Sequence, residues 1–352
     1  MTEVAIVSPE TGGGVRYLTE KIAKGLRMEG FKVKYIVLDS RNLIYATLSD
    51  LRKISELQKF DRLIYMGSIP WPSHLFARSG AKVMLFVHGF VMNELINAIR
   101  RSKNFRAKIG NIYLMLLWKT GRIIDEVDFY ICHSLTTCEV NGIYDNYILL
   151  PQFVFSDEVK FFTKFKRSDR EWRDSKKLKI VTYSSLALSP RLLKTPFIVK
   201  LMKEVSKNIE NKEVELTVLD PHGVGRSEER TGNLVVRYLG FLPRNDFLQL
   251  LADSDLYIES CVDEELRLGS IEAALLGTPI AKLTHPKYVE RQDYDKELIW
   301  ASTFRDLVKA ISDYLNDVDC WKPVYSERLR EFIVNRRSWD KVKEPLVRIL
   351  RE

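Results

Sequence analysis

Two acids eight residues apart, Glu264 and Glu272, bracket the stretch EELRLGSIEAALLGTPI, Glu264 to Ile280. The run after Ser270 is apolar and stops at Gly277 and Pro279, which predicts a short helix capped by Ser270 and closed by the glycine. A helix mouth offers unpaired amide donors and a partial positive charge, chemistry suited to a phosphate. Leu268, Gly269 and Ser270, at and just before that mouth, are candidate donor-binding positions. Glu272, expected in the first turn, would face the same region and accept hydrogen bonds from sugar hydroxyls. Glu264 would sit on the loop that leaves the preceding strand, DLYIES. The competing reading has Glu272 complementing the helix dipole and Glu264 solvated.

Other chemistry-bearing residues lie elsewhere. Gly12, Gly13 and Gly14 separate a strand from a helix, where bare backbone can approach a phosphate or a sugar. The run lacks the G-x-G-x-x-G spacing of a dinucleotide site. His88 ends the strand KVMLFVH; the remaining histidines are scattered, so no metal is expected. Asp253-Ser254-Asp255 has the form of a metal-binding D-x-D, but it falls at a helix-to-strand junction and is read as structural.

These residues need elements to position them. EVAIVSPETGGGVRYLTEKIAKGLRMEGFKVKYIVLD reads as strand, glycine loop, amphipathic helix, strand: one β-α-β unit of a parallel sheet. Strands follow at DRLIYMG, KVMLFVHG, VDFYICHS and NYILLP. The charged segment FFTKFKRSDREWRDSKKLK interrupts the rhythm, which restarts at KIVTYS and runs through VELTVLD, LVVRYLG, DLYIES and PIAKL. The expected organisation is a first doubly wound domain over 1–160, a linker over 161–177, and a second domain over 178–335. A C-terminal helix over 336–352 is expected to pack back on the first domain. Two such domains would face each other across a cleft at the carboxyl ends of their sheets.

At 352 residues, with 45% hydrophobic and 29% charged residues, the chain can bury two cores and is not disordered. The net charge of +8 points to an anionic partner or to a Lys-rich surface. No signal peptide and no run of eighteen apolar residues occurs, and the four cysteines form no C-x-x-C pair. Reduced thiols and a cytoplasmic location are expected. LINAIRRSKNFRAKIGNIYLMLLWKTGR, over 95–122, mixes basic residues with an apolar run and reads either as a surface that lies peripherally on the inner membrane face or as an ordinary half-buried helix.

The opening stretch resembles the E-x(7)-E signature of retaining GT-B glycosyltransferases, glycosyltransferase family 4 above all, whose pattern is approximately E-G-F-G-x-x-x-x-E-A-M-A-x-G-x-P-V. Glu264, Glu272, Ala273, Gly277 and Pro279 match in register, while Glu265 and Arg267 replace the two loop glycines. Similar segments occur in order along nearly the whole chain: GGGVRYLTEKIAKGLRMEGFKV, VHGF around His88, VDFYICHS, YLGFLPRNDFLQLLADSDLYIES and RRSWDKV.

The resemblance implies an α/β chain of GT-B architecture, two Rossmann-like domains, and transfer of a sugar from a UDP- or GDP-sugar to a lipid, glycan or other hydroxyl acceptor (EC 2.4 type). It implies no tightly bound cofactor. It places Glu264 near the transferred sugar, Glu272 on the ribose hydroxyls, His88 near the reacting centre, and the backbone around Leu242 on the nucleobase. Gly13, Gly14, Arg267, Leu268, Gly269 and Ser270 join the donor site. The family's diphosphate-binding Arg-Lys pair is altered: Ser185 stands where the arginine belongs, Lys194 replaces the lysine, and Arg191 is the nearest second cation. A sugar-nucleotide epimerase of the same fold and a catalytically inactive nucleotide-sugar binder are the rival readings. Nucleic-acid binding, a third, lacks any basic motif interleaved with aromatics.

Overall fold

The computed structural model describes residues 2–9, 14–38, 53, 55–66, 80–87, 127–165, 177–183, 193–220, 227–240 and 242–352, with scattered helical positions between 95 and 119. The chain divides into two compact units, Met1–Pro151 with Val342–Glu352, and Gln152–Lys341.

The first unit holds β1 (Glu3–Pro9), α1 (Gly14–Met28), β2 (Lys32–Leu38), β3 (Arg62–Met66), β4 (Lys82–Val87), β5 (Phe129–Cys132), α2 (Leu135–Glu139) and β6 (Tyr147–Leu149). Its sheet runs β2-β1-β3-β4-β5-β6, all parallel. Parallel strands covered on both faces read as unbroken apolar runs, and Val4 to Val7, Leu63 to Met66 and Val83 to Val87 are all buried. Helix α1 buries Leu18, Ile22 and Leu26, one stripe at helical spacing. The chain's last helix also belongs here. Leu346, Val347, Ile349 and Leu350 are buried, Lys343 Nζ pairs with Glu29 Oε1 at 2.6 Å, and Lys82 Nζ donates to the Ile349 carbonyl at 3.2 Å.

The expectation of four reduced thiols is corrected. Cys132 and Cys138 form a disulfide with their Cα atoms 5.9 Å apart. The tight turn between β5 and α2, where the Ser134 hydroxyl accepts from the Thr137 amide, brings the two residues together.

The second unit holds α3 (Ser156–Phe162), β7 (Lys177–Tyr183), α4 (Thr195–Ser206), β8 (Glu213–Leu219), β9 (Ser227–Thr231), β10 (Leu234–Leu239), α5 (Arg244–Ala252), β11 (Leu256–Glu259), α6 (Leu268–Leu275), β12 (Ile280–Leu283), β13 (Ile299–Ala301), α7 (Phe304–Asn316) and α8 (Val318–Arg336). The sheet order is β13-β12-β11-β7-β8-β10-β9, parallel except for β9. That exposed edge strand, SEERT, carries charges whose partners lie on neighbouring strands: Arg237 reaches Glu228 and Glu215, both at 2.9 Å. A charged edge discourages further strand pairing.

The division falls earlier than the sequence placed it. Val154 and Phe162 are buried in the same core cluster as Leu266, Ile271 and Leu329, so the segment after Pro151 packs within the second unit. The Trp339 amide donates to the Val154 carbonyl at 2.9 Å and the Val154 amide to the Arg337 carbonyl at 2.8 Å, with Trp339 against Phe153 at 4.9 Å between ring centroids. Among the described residues no helix is long and apolar enough to cross a membrane.

Candidate functional site

The chain leaves β7 toward β8 on one side and returns on the other side as β11. This reversal makes the carboxyl end between β7 and β11 a topological switch point, the usual ligand crevice of an open parallel sheet. Ser260, just past β11, fastens it. Its hydroxyl donates to the Tyr183 carbonyl at the end of β7 at 3.0 Å, and its carbonyl accepts from the Leu193 amide at 2.6 Å. Lys194, the next residue, is the N-cap of α4 and is exposed, so its backbone passes beside the loop that leaves β11. Burial, followed by the neighbouring Asp220, raises the pKa of the Tyr183 phenol.

The loop from Ser260 to Arg267 is rich in buried polar groups. Glu259 accepts from the Cys261 amide at 2.8 Å and from the Ser270 hydroxyl at 2.5 Å. Asp263 Oδ1 accepts from the Cys261 thiol at 2.8 Å and from the Glu265 amide at 3.2 Å. Lys282 Nζ, on β12, donates to the Glu265 carbonyl at 2.6 Å. Glu264 and Glu265 are each only 8% exposed, so the solvated alternative for Glu264 does not hold.

The charges here govern one another. Burial opposes the charged form of Arg267, but the Cys261 sulfur, Glu259, Asp263 and Glu265 outweigh it and hold its pKa above the usual value. Burial likewise opposes the Lys282 charge, and Tyr294, Cys261, Glu259 and Asp263 reverse the effect. The Cys261 thiol is pushed up to about 12 by burial.

Helix α6 begins at Leu268 with Arg267 as N-cap, which corrects two expectations. Ser270 is the third helical residue rather than the cap, because its hydroxyl finds a buried carboxylate in Glu259. Glu272 therefore lies in the second turn. It is 2% exposed and ion-paired, with Arg244 Nη2 at 2.6 Å from its Oε1. Leu268, Gly269 and Ser270 occupy the first three positions, whose amides have no carbonyl of their own helix to bond. A Cβ at Gly269 would meet the Tyr257 hydroxyl at 2.8 Å, so only glycine allows this approach of helix to strand. The helix stops at Leu275. Gly277, at φ +76°, turns the chain, and the Thr278 amide bonds the Ala273 carbonyl at 2.9 Å.

The structure thus brings Glu264, Arg267, Leu268, Gly269, Ser270, Glu272 and Lys194 to the carboxyl side of one sheet. Leu242 lies just before α5, partly buried against the same core cluster. Gly14 is the first residue of α1 in the other unit. His88, Gly13 and Arg191 lie outside the described residues. The D-x-D is internal: Asp255 Oδ2 accepts from the Lys179 amide at 2.9 Å and Asp253 Oδ2 from Gln249 at 3.1 Å.

Sequence reasoning missed Glu259, Asp263, Lys282 and the Glu272 partner Arg244. One signal was present. A lysine inside the wholly apolar strand IAKL needs a buried partner, and the acid surplus in ESCVDEE is the nearest supply.

Comparison with solved structures identifies the architecture. The HepE protein of Anabaena, solved in complex with UDP-glucose, superposes at TM-score 0.64 with 13% identity over 99% of each chain. Sucrose-phosphate synthase from Thermosynechococcus elongatus matches at TM-score 0.60 and 13% identity over 100% of this chain and 98% of its own. WaaG, a glycosyltransferase involved in lipopolysaccharide biosynthesis, matches at TM-score 0.57 and 12% identity over 99% of each chain. No family model and no curated protein matches the sequence. At these identities the likeness shows the fold: two Rossmann-like α/β domains as in GT-B glycosyltransferases.

Proposed function

We propose that the protein is a retaining glycosyltransferase that takes a sugar from a UDP- or GDP-sugar and passes it to a hydroxyl acceptor. One observation carries the reading: Glu264 and Glu272 lie buried on either side of a helix mouth, at the switch point of a parallel sheet. The HepE complex with UDP-glucose supports it from a shared fold.

In the proposed reaction the bond between the sugar C1 and the diphosphate oxygen breaks, its electron pair leaving with the phosphate. The acceptor oxygen bonds C1 on the same face, and its proton passes to the leaving phosphate. The developing phosphate charge calls for fixed donors. The amides of Leu268, Gly269 and Ser270 supply them, with Lys194 as the cation and Arg191 as its reserve. Arg267 is the weaker candidate, since its charge already faces Glu259 and Asp263. Glu272 holds the ribose hydroxyls, Glu264 the transferred sugar, and the Leu242 backbone the base, while His88, Gly13 and Gly14 keep the reacting-sugar roles that the resemblance implies. The acceptor is a glycan or a lipid-linked hydroxyl, with 95–122 as the membrane-facing surface.

A thermal-shift panel of UDP-, GDP- and ADP-sugars tests this reading. At a hundredfold excess over Kd, a ligand stabilises by about 2.7 kcal/mol, which is about 5–10 °C for a domain of this size. A selective shift that Glu272→Ala abolishes supports the assignment. No shift with any donor at millimolar concentration removes it. Conversion of the donor to a changed sugar nucleotide without an acceptor would establish the epimerase reading instead.

A further inference from the structure

Lys282 is fully buried in the interior of the parallel sheet, on a strand paired to both β11 and β13. An ammonium group in such a place costs several kcal/mol of desolvation, and an apolar side chain of similar volume would stabilise the sheet better. Its partners show what it does there. Nζ donates to the Glu265 carbonyl at 2.6 Å, and the ring of Tyr294 lies 5.9 Å from it. The carboxylates that favour its charge, Glu259 and Asp263, stand at the start of the acid loop and within it.

Asp263 completes the arrangement by accepting the Glu265 amide at 3.2 Å. Both backbone polar groups of Glu265 are therefore held, the N–H by a buried carboxylate and the C=O by a buried ammonium group. The residue so clamped directly follows Glu264. A loop with its peptide groups left to water would sample many backbone paths, and each would carry the Glu264 carboxylate elsewhere.

We propose that Lys282 is a positioning residue which, with Asp263, clamps the Glu265 backbone and so fixes where Glu264 presents its carboxylate to the transferred sugar. Lys282 itself does not touch substrate. The catalytic part of this inference rests on the glycosyltransferase reading; the clamp does not.

The test compares wild type with Lys282→Met, which keeps the stem and loses the donor, with Lys282→Arg, which keeps charge and donor, and with Asn233→Ala. Asn233 donates to the carbonyls of Ser206, Ile209 and Lys212, away from the acid loop, and serves as a control for lost stability alone. Turnover of UDP-glucose and of GDP-mannose is measured at a temperature well below every Tm. Misplacing a reacting group by about 1 Å costs on the order of 100-fold, so kcat should fall about 10–100-fold in Lys282→Met. KM should stay within about twofold, the signature of an interaction felt in the transition state. Lys282→Arg should recover part of kcat, and Asn233→Ala should keep it.

Amide hydrogen exchange reads the clamp directly. Glu265 and Leu266 should exchange at least about tenfold faster in Lys282→Met while β8 stays protected. Unchanged exchange in the loop overturns the clamp, and an unchanged kcat, or a loss equal to that of Asn233→Ala, overturns the positioning role. If Lys282→Met does not fold, the exchange and kcat of Lys282→Leu, which also lacks the donor, decide by the same criteria. If wild type turns over neither sugar, the donor panel above decides the functional reading while the exchange data still settle the clamp.

Discussion

The Arg244 guanidinium lies across the Glu272 carboxylate, Nη2 to Oε1 at 2.6 Å, with the acid almost wholly buried and the arginine half-exposed. The pair joins the first residue of α5 to the second turn of α6. Any ribose that hydrogen-bonds Glu272 must share the carboxylate with this cation. Removing Arg244 leaves a buried charge, and because its partner is half-exposed we expect a loss of about 1–2 kcal/mol, between the surface and buried limits. Arg244→Ala should therefore lower Tm. The double variant Arg244→Ala/Glu272→Gln should restore part of the loss, and chemical denaturation of the four proteins measures the coupling. Additive losses would show that the contact contributes nothing to stability.

Gly269 and Tyr257 give a second, purely steric prediction. The Tyr257 hydroxyl occupies the space a Cβ at position 269 would need, and the ring is buried in β11. Gly269→Ala should cost about 1–3 kcal/mol by overpacking. Tyr257→Phe removes the obstructing oxygen, so Gly269→Ala in the Tyr257→Phe background should cost less than half as much. Equal costs in the two backgrounds would place the strain elsewhere.

The strands were legible because burial on both faces writes itself as VAIV, LIYM or VMLFV, and the loop-helix motif because its acids, glycine and proline fall at fixed offsets. The failures share a cause, which is that partners distant in sequence decide local choices. Ser270 looked like a cap, yet Glu259, eleven residues earlier, takes its hydroxyl. Glu272 was expected in the first turn with a ligand or the helix dipole as its partner, yet α5 delivers Arg244 to it in the second turn. Lys282 went unnoticed because a lone lysine near a strand end usually points to water. The charged strand β9 has no apolar signature at all and exists through its pairing with β10.

Cys132 and Cys138 were misjudged because compartment, rather than geometry, guided the expectation. A disulfide closing so short a loop stabilises by about 2 kcal/mol in the chain-entropy account. Reductant, or Cys132→Ala/Cys138→Ala, should lower the Tm of the first unit by about 4–8 °C. Under denaturing conditions without reductant only Cys261 and Cys320 should be alkylated, with four thiols appearing after reduction. Four reactive thiols at the outset would contradict the bridge.

Cys261 predicts how stability responds to alkaline pH. Burial pushes its thiol from the ordinary 9.0 up to about 12 in the folded chain. Between those values the unfolded chain gives up its proton while the folded chain keeps it, so stability falls as pH rises. By pH 10 the thiol alone accounts for about 1 kcal/mol, and at pH 12 for about 4 kcal/mol. Lys282 and Tyr257 shift in the same direction, so the decline continues above pH 10 without a compensating rise. Cys261→Ala loses the hydrogen bond to Asp263 and starts from a lower Tm, but its Tm should fall less steeply between pH 8.5 and 10.5. Parallel Tm profiles for wild type and Cys261→Ala across that window would mean that the thiol titrates normally, and that the loop around Asp263 admits water.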